Sequence, residues 1–265
     1  MAFFEIESIE YTNDLCQSHW SPSIPSVSNQ SLRYYSRVLS QSGIISSMSE
    51  VESALSLAKT NNYYNYMSGW FSAQFGWRTP GSNKVIQWFD LSPEEKDFYA
   101  NVPAWQPIWT ENQKNSKPGL YFDGSDDNMR RDYADIKTIF LVFKSNSTGD
   151  SYKHILGNSW SDTTFHGGPG TGQWISTVPP YTTYLNFLNG VSVPGSSVQK
   201  TTNYEILTLT HYDFMPAQQL CWAQDNYGGR AYPGTFLEII FLSIKADNSL
   251  RSQIETDLNS RWAIY

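Results

Sequence analysis

Short apolar runs recur along most of the chain, and their spacing predicts a fold built mainly of β-strands. From residue 85 onward the runs are separated by turn sequences such as Asn189-Gly190 and Gly167-Gly-Pro-Gly170. The predicted strands are 85–89, 119–122, 138–144, 153–156, 173–176, 184–188, 204–211, 219–223 and 236–244. Because helices do not alternate with them along the chain, we expect an antiparallel sandwich or jelly roll rather than parallel βαβ units.

Helical patterns occur near both ends and once in the middle. Two short helices are predicted near the N-terminus, one over Leu32–Leu39 and one that begins at Ser49-Glu-Val-Glu52, a capping-box pattern. A third should begin at Ser92, with Pro93 in its first turn. The last helix carries an apolar stripe that we expect to pack on the sheet. The stripe consists of Leu250, Ile254, Leu258 and Trp262.

Residues 1–69 form a separate region in this pattern. Residues 3–11 predict a short strand, and 18–29 are rich in Pro and Ser, which indicates an extended arm. The apolar face of the second helix is too narrow for a core of its own, so it must dock on the sandwich or on a neighbouring subunit. We therefore predict an anchoring N-terminal arm with two short helices over 1–69 and a sandwich over 70–265, and expect the sandwich to fold without residues 1–60.

Seven aromatic residues lie within residues 61–77, between the arm and the sandwich. They can pack the first strand against the arm, or they can form a protein–protein interface, since Tyr and Trp are favoured anchors there. The interface candidates are Tyr63, Tyr64, Tyr66, Trp70 and Phe71.

Composition and charge limit the classes of partner that the chain can bind. The 265 residues include 10 Trp, 17 Tyr and 14 Phe, which suits strands and adhesive surfaces. The net charge is −7 with no basic block, which argues against binding to a phosphate backbone. The N-terminal sequence lacks the basic and apolar parts of a signal peptide, and no apolar run approaches the roughly 18 residues that span a bilayer. We expect a soluble protein made in a cytoplasm, with no nucleic-acid partner and no membrane insertion.

Little in the sequence suggests a metal or a cofactor. The four histidines are scattered and include no i,i+4 pair. They are His19, His154, His166 and His211. Asp123-Gly-Ser-Asp-Asp-Asn128 favours a turn in which the side chains hydrogen-bond to their own backbone, with a calcium site as the alternative. Cys16 and Cys221 favour free thiols, with one long-range disulfide as the alternative. No cofactor and no metal are predicted.

Aromatic rings beside polar residues at loop tips suggest sugar binding. The apolar face of a ring can stack on a sugar, while amides and carboxylates bind its hydroxyls. Two sets fit this pattern, although the same rings could simply form the core. The candidates are Trp160, His166, Trp174 and Tyr181 around a Gly-rich loop, and Trp222, Asp225 and Asn226 further on.

Several motifs follow one another at a recognisable spacing. They are Val85-Ile-Gln-Trp-Phe-Asp-Leu-Ser92, Gln106-Pro107, Lys117-Pro-Gly-Leu-Tyr-Phe-Asp-Gly124, Thr138-Ile-Phe-Leu-Val-Phe-Lys144, and the closing strand and helix over 236–262. Together they resemble the laminin-G-like, concanavalin A-type β-sandwich of many phage and bacterial surface proteins. The resemblance covers residues 70–265 and departs at Pro93-Glu-Glu-Lys96, where the family has a Gly/Asn-rich turn.

Some enzymes with the fold of this family cleave glycans through a Glu-x-Asp-x-(x)-Glu strand. Glu5-Ile-Glu-Ser-Ile-Glu10 has a similar spacing, but its middle acid is Glu and it lies outside the predicted sandwich. Hydrolysis needs two carboxylates at a defined separation, and the acids of the sandwich show no such pairing. These acids are Asp90, Glu111, Glu205, Asp213, Asp225 and Glu238. We therefore predict that the chain is not an enzyme.

The resemblance implies a protein that binds and decorates. The leading hypothesis is a non-enzymatic bacteriophage structural protein displayed on the capsid or tail of the virion, with other virion proteins as its partners. The alternative is a lectin-like module that recognises a host surface glycan. A third hypothesis, a glycan-cleaving enzyme, requires two facing carboxylates in the groove of the sandwich.

Overall fold

The computed structural model describes residues 29–132, 135–148, 153–158, 185–194, 199–210, 219–223 and 231–265. The described part is mainly antiparallel β-sheet with three α-helices, which confirms the predicted fold class. The predicted strands at 3–11 and 173–176 lie outside these residues. None of the described helices is long and apolar enough to cross a membrane.

The strands form two antiparallel sheets. They are β1 (Met67–Ser72), β2 (Trp77–Arg78), β3 (Gln87–Trp88), β4 (Phe98–Tyr99), β5 (Ile108–Lys114), β6 (Lys117–Asp123), β7 (Met129–Asp132), β8 (Thr138–Ser145), β9 (Leu156–Asn158), β10 (Leu185–Leu188), β11 (Val191–Val193), β12 (Glu205–Thr210), β13 (Gln219–Trp222) and β14 (Pro233–Leu242). The larger sheet has the order β11-β10-β12-β8-β14-β6-β5, and β1 also pairs with β14. The smaller has the order β2-β3-β4-β7-β13-β9.

A core of aromatic side chains lies between the two sheets. The ring of Phe71 on the larger sheet lies 4.6 Å from that of Phe98 and 5.6 Å from that of Trp88, both on the smaller sheet. Trp222 packs edge-on against Phe236 across the same interior, with ring centroids 4.8 Å apart. These contacts make the two sheets a sandwich.

Three helices cover the other face of the larger sheet and form a second core with it. They are α1 (Asn29–Ser40), α2 (Met48–Thr60) and α3 (Asn248–Trp262). The hydroxyl of Ser47 caps α2 by accepting from the Glu50 N–H at 3.3 Å, two residues before the predicted start. In α3, Ile254, Leu258 and Trp262 are buried, as the stripe predicts.

The helix predicted to begin at Ser92 is absent, which corrects that expectation. The carboxylate of Asp90 accepts hydrogen bonds from the N–H groups of Ser92 at 2.9 Å and Lys96 at 3.0 Å. These bonds close a turn around the aspartate, and they compete with helical hydrogen bonding. The same carboxylate faces the Arg131 guanidinium at 3.5 Å, with both side chains fully buried.

Candidate functional site

Strands β4 and β7 lie side by side and carry a polar surface on the outside of the smaller sheet. Tyr99 pairs with Arg130 in the register of the two strands. Because side chains alternate along a strand, Phe98 and Met129 point into the core while Tyr99 and Arg130 point away from it. Asp132 follows two residues later and is exposed on the same face.

A groove of about 500 Å³ lies over this outer face. It is lined by Glu95, Lys96, Asp97, Tyr99, Asn101, Trp105, Arg130, Arg131 and Asp132. The lining residues come from the turn before β4, from the loop after it and from β7, so pairing within the sheet brings them together.

One wall of the groove consists of a stacked ring and guanidinium. The Arg130 guanidinium lies 4.6 Å from the centroid of the Trp105 ring, within the distance of a cation–π contact. Its Nε donates to Asn128 Oδ1 at 3.4 Å, and the Asn128 N–H donates to the Trp105 carbonyl at 2.9 Å. The turn that ends at Asn128 therefore holds both members of the stack.

Most charges of the groove are neutralised by neighbours, and two are not. Glu95 pairs with Arg33 at 2.9 Å and Asp97 pairs with Arg37 at 2.6 Å. Within the part of the chain that the structure describes, Arg130 and Asp132 take part in no ion pair. The groove thus presents one guanidinium and one carboxylate, two residues apart on one strand, for a ligand to meet.

The phenol of Tyr99 is a neutral hydrogen-bonding group in the groove. The side chain is 36% exposed. Burial raises the pKa of Tyr99, and the neighbouring Asp97 carboxylate raises this pKa further. The hydroxyl therefore stays protonated at neutral pH and can both donate and accept.

The turn from Asp123 to Asn128 is the described group most suited to a cation. The carboxylate oxygens of Asp123, Asp126 and Asp127 lie within 4.8 Å of one another. They also bond to their own backbone: Asp123 Oδ1 accepts from the Ser125 N–H at 2.7 Å, and Asp127 Oδ2 accepts from the Asp123 N–H at 2.8 Å. Burial raises the pKa of Asp127 to about 7, although the hydrogen bond from the Asp123 N–H lowers it. These side-chain to backbone hydrogen bonds are the ones expected of the predicted turn. Binding of a calcium ion by the three carboxylates is the alternative role of this segment.

The predicted glycan-binding residues are placed as follows. Trp222 lies fully buried in the core between the sheets, so its ring faces other aromatic rings and cannot meet a glycan. The remaining candidates lie outside the described residues. They are Trp160, His166, Trp174, Tyr181, Asp225 and Asn226.

The predicted interface residues pack mostly inside the chain. Tyr63, Tyr64 and Trp70 are buried in the core between the helices and the larger sheet, and Phe71 is buried in the core between the two sheets. Tyr66 is 43% exposed and is the one member of the set at the surface. The first four residues therefore pack inside the chain, which was the alternative to an interface, while the side chain of Tyr66 is accessible to a partner.

The acids considered for catalysis include buried groups with fixed partners. Glu238 accepts from the indole N–H groups of Trp70 at 2.7 Å and Trp262 at 2.6 Å. Asp90 is buried with Arg131. Glu5, Glu7 and Glu10 lie outside the described residues.

Sequence reasoning missed the groove. Tyr99, Trp105, Arg130 and Asp132 belong to segments separated by about 25 residues, and no motif links them. The only local signal is the alternation of Met129-Arg-Arg-Asp132, which is weak because an arginine occupies an inward position.

Comparisons with known proteins give matches only among solved structures. Neither a protein-family model nor a curated protein matches the sequence. A Trypanosoma rangeli sialidase in complex with the inhibitor DANA matches over 78% of this chain and 38% of its own, with 11% identity and a TM-score of 0.40. A Trypanosoma rangeli sialidase in complex with 2,3-difluorosialic acid matches over 80% of this chain and 39% of its own, with 11% identity and a TM-score of 0.43.

These matches correct one prediction. The chain was predicted not to be an enzyme, and that prediction is contradicted because the matched structures are sialidases. The chain spans about two fifths of the length of those sialidase chains. At these TM-scores the likeness assigns neither a substrate nor catalytic residues to this chain.

Proposed function

We propose that this chain binds a glycan in the groove on the outer face of its smaller sheet. One observation carries the proposal: two aromatic side chains lie beside a guanidinium and a carboxylate that have no ion-pair partner in the described part of the chain. These are Tyr99, Trp105, Arg130 and Asp132.

The chemistry of these groups suits a hydroxyl-rich ligand. The apolar face of a sugar stacks on an aromatic ring, and its hydroxyls both donate and accept. Arg130 supplies donors only and Asp132 supplies acceptors only, so together they can bind neighbouring hydroxyls of one sugar. The phenol of Tyr99 does both. The volume of about 500 Å³ falls within the range of small-ligand sites.

A glycan array tests the proposal. The labelled full chain is applied to an array of bacterial and animal glycans together with Asp132→Asn and Trp105→Ala variants. Asp132→Asn should lower the signal, because a hydrogen bond to a charged group contributes about 1.5–3 kcal/mol, or about ten- to 100-fold in affinity. Trp105→Ala should lower it as well, because it removes the ring on which the sugar stacks. Val191→Ala serves as the control, since Val191 is 64% exposed on the larger sheet. Equal signals from all four proteins would contradict the proposal.

Catalysis is measured in the same reactions. Sugars released from the array glycans are quantified for the wild type and for Asp132→Asn. Release that depends on Asp132 would make the groove a site of cleavage as well as of binding.

The virion location and the partnership with virion proteins or a host surface glycan remain predictions from the family resemblance. They are tested by following the chain in a purified particle by electron microscopy. A glycan-binding groove is compatible with such a location, because a displayed module can attach a particle to a host surface.

A further inference from the structure

Helix α1 meets the turn that lines the groove through two arginines one helical turn apart. Arg33 pairs with Glu95 at 2.9 Å and Arg37 pairs with Asp97 at 2.6 Å. Residues four apart on a helix lie on the same face, with Cβ atoms about 5–6 Å apart, so the two arginines can reach neighbouring acids of the turn together.

The two ion pairs differ in how firmly they are held. The Arg33 side chain is 72% exposed, which makes its pair a surface contact of small effect. The Arg37 guanidinium also donates to the Asp90 carbonyl and lies 5.6 Å from the ring centroids of Tyr34 and Phe89. Arg37 is therefore fixed in one orientation.

Asp97 connects Arg37 to the groove through hydrogen bonds. Its Oδ1 accepts from Arg37 at 2.6 Å and from the Asp90 N–H at 2.8 Å. Its Oδ2 accepts from Gln87 Nε2 at 2.8 Å. The same amide nitrogen lies 3.2 Å from the Tyr99 hydroxyl, and Gln87 pairs with Tyr99 in the strand register. A continuous set of polar contacts thus leads from α1 to the phenol in the groove.

We propose that Arg37 is a positioning residue, through which helix α1 fixes Asp97 and the phenol of Tyr99 in the orientation that a ligand meets. The inference rests on the proposed function, since it concerns the same groove. It adds that a helix from outside the smaller sheet, whose buried side chains belong to the second core, shapes the binding surface of the smaller sheet. Arg37 also neutralises Asp97, which leaves Asp132 as the carboxylate that the ligand encounters.

The electrostatics of Tyr99 give a readout that needs no glycan. Burial and the Asp97 carboxylate raise the pKa of the phenol, while Arg37 and Arg78 lower it. Loss of Arg37 should therefore raise the pKa of Tyr99 further, and loss of the Asp97 charge should lower it. A general loosening of the fold has a different signature in the Arg37 variant, because it lowers the pKa toward the ordinary value of a solvated tyrosine instead of raising it.

The experiment uses the full chain carrying 3,5-difluorotyrosine at position 99, whose phenol ionises at lower pH than that of tyrosine. Its ¹⁹F signal is titrated in the wild type, Arg37→Gln, Arg37→Lys and Asp97→Asn. The pKa should rise in Arg37→Gln, return towards the wild-type value in Arg37→Lys and fall in Asp97→Asn. Arg33→Gln is the matched control and should leave the pKa nearly unchanged, because the Arg33 side chain is 72% exposed and pairs with Glu95 instead of Asp97.

A pKa of Tyr99 that stays at the wild-type value or falls in Arg37→Gln would overturn the inference. If Arg37→Gln does not fold, Arg37→Met is titrated in its place, since it keeps the aliphatic packing of the side chain and removes its charge and hydrogen bonds. The outcome is separate from that of the proposed function: glycan binding that depends on Asp132, combined with an unresponsive Tyr99, would retain the function and reject the positioning role.

Discussion

The indole N–H of Trp262 donates to Glu238 Oε2 at 2.6 Å, and this bond joins the closing helix to the larger sheet. Trp70 donates to the other oxygen at 2.7 Å, and Arg261 forms an ion pair with the same carboxylate. The carboxylate is buried, so each of these donors offsets part of the cost of removing its charge from water.

Trp262→Ala should lower the free energy of unfolding by about 3–5 kcal/mol, because it creates a cavity and removes a donor from a buried carboxylate. Urea unfolding measures the loss. Trp262→Phe is the control, since it fills much of the volume and loses only the hydrogen bond, for a smaller cost of about 1–3 kcal/mol. An unchanged midpoint in Trp262→Ala would mean that the ring does not contribute to the helix–sheet contact.

Deletion of residues 1–60 should abolish folding, which revises the expectation from sequence. It removes α1 and α2, whose side chains Tyr34, Val38, Val51 and Leu55 belong to the second core. Burial of each aliphatic side chain contributes about 1.5–3 kcal/mol, while a domain has only about 5–15 kcal/mol in total. Near-ultraviolet circular dichroism and urea unfolding report the outcome. A 61–265 fragment that unfolds cooperatively at the wild-type midpoint would show that the helices are dispensable.

Stability should depend on pH through Asp127. Its folded pKa of about 7 lies above the value of about 3.9 expected in the unfolded chain, so the folded state binds more protons between these values. The stabilising contribution of the neutral carboxyl is complete below about pH 4 and declines as the pH rises to about 7. Asp127→Asn should therefore be less sensitive to pH in that range. Urea midpoints of both proteins from pH 4 to 7.5 check this, and parallel curves would refute it.

The predictable and unpredictable parts of the fold differ in how local their signals are. The apolar run over 138–144 predicted β8, because a strand buried on both faces is apolar throughout. Strand β7 was missed because Arg131 occupies an inward position, and its partner Asp90 is distant in sequence.

The candidate site was unpredictable for the same reason. Trp105 and Arg130 meet only because β4 pairs with β7, and this pairing has no local signature. Trp222 showed the reverse problem: a Trp near polar residues looks like a sugar-binding ring in sequence, yet it packs in the core. Sequence pattern therefore located strands better than it located the surface between them.

Indole N–H signals provide the most direct test of the groove. The protein has 10 Trp residues, so a ¹⁵N-labelled sample gives a small set of signals, and Trp105→Phe and Trp222→Phe variants assign two of them. The array glycan with the strongest signal is then titrated into the wild type. If the glycan binds in the groove, the Trp105 signal shifts with saturation while that of Trp222 stays in place. A saturable shift of other indole signals with Trp105 unchanged would place the glycan elsewhere and rule out binding in the groove.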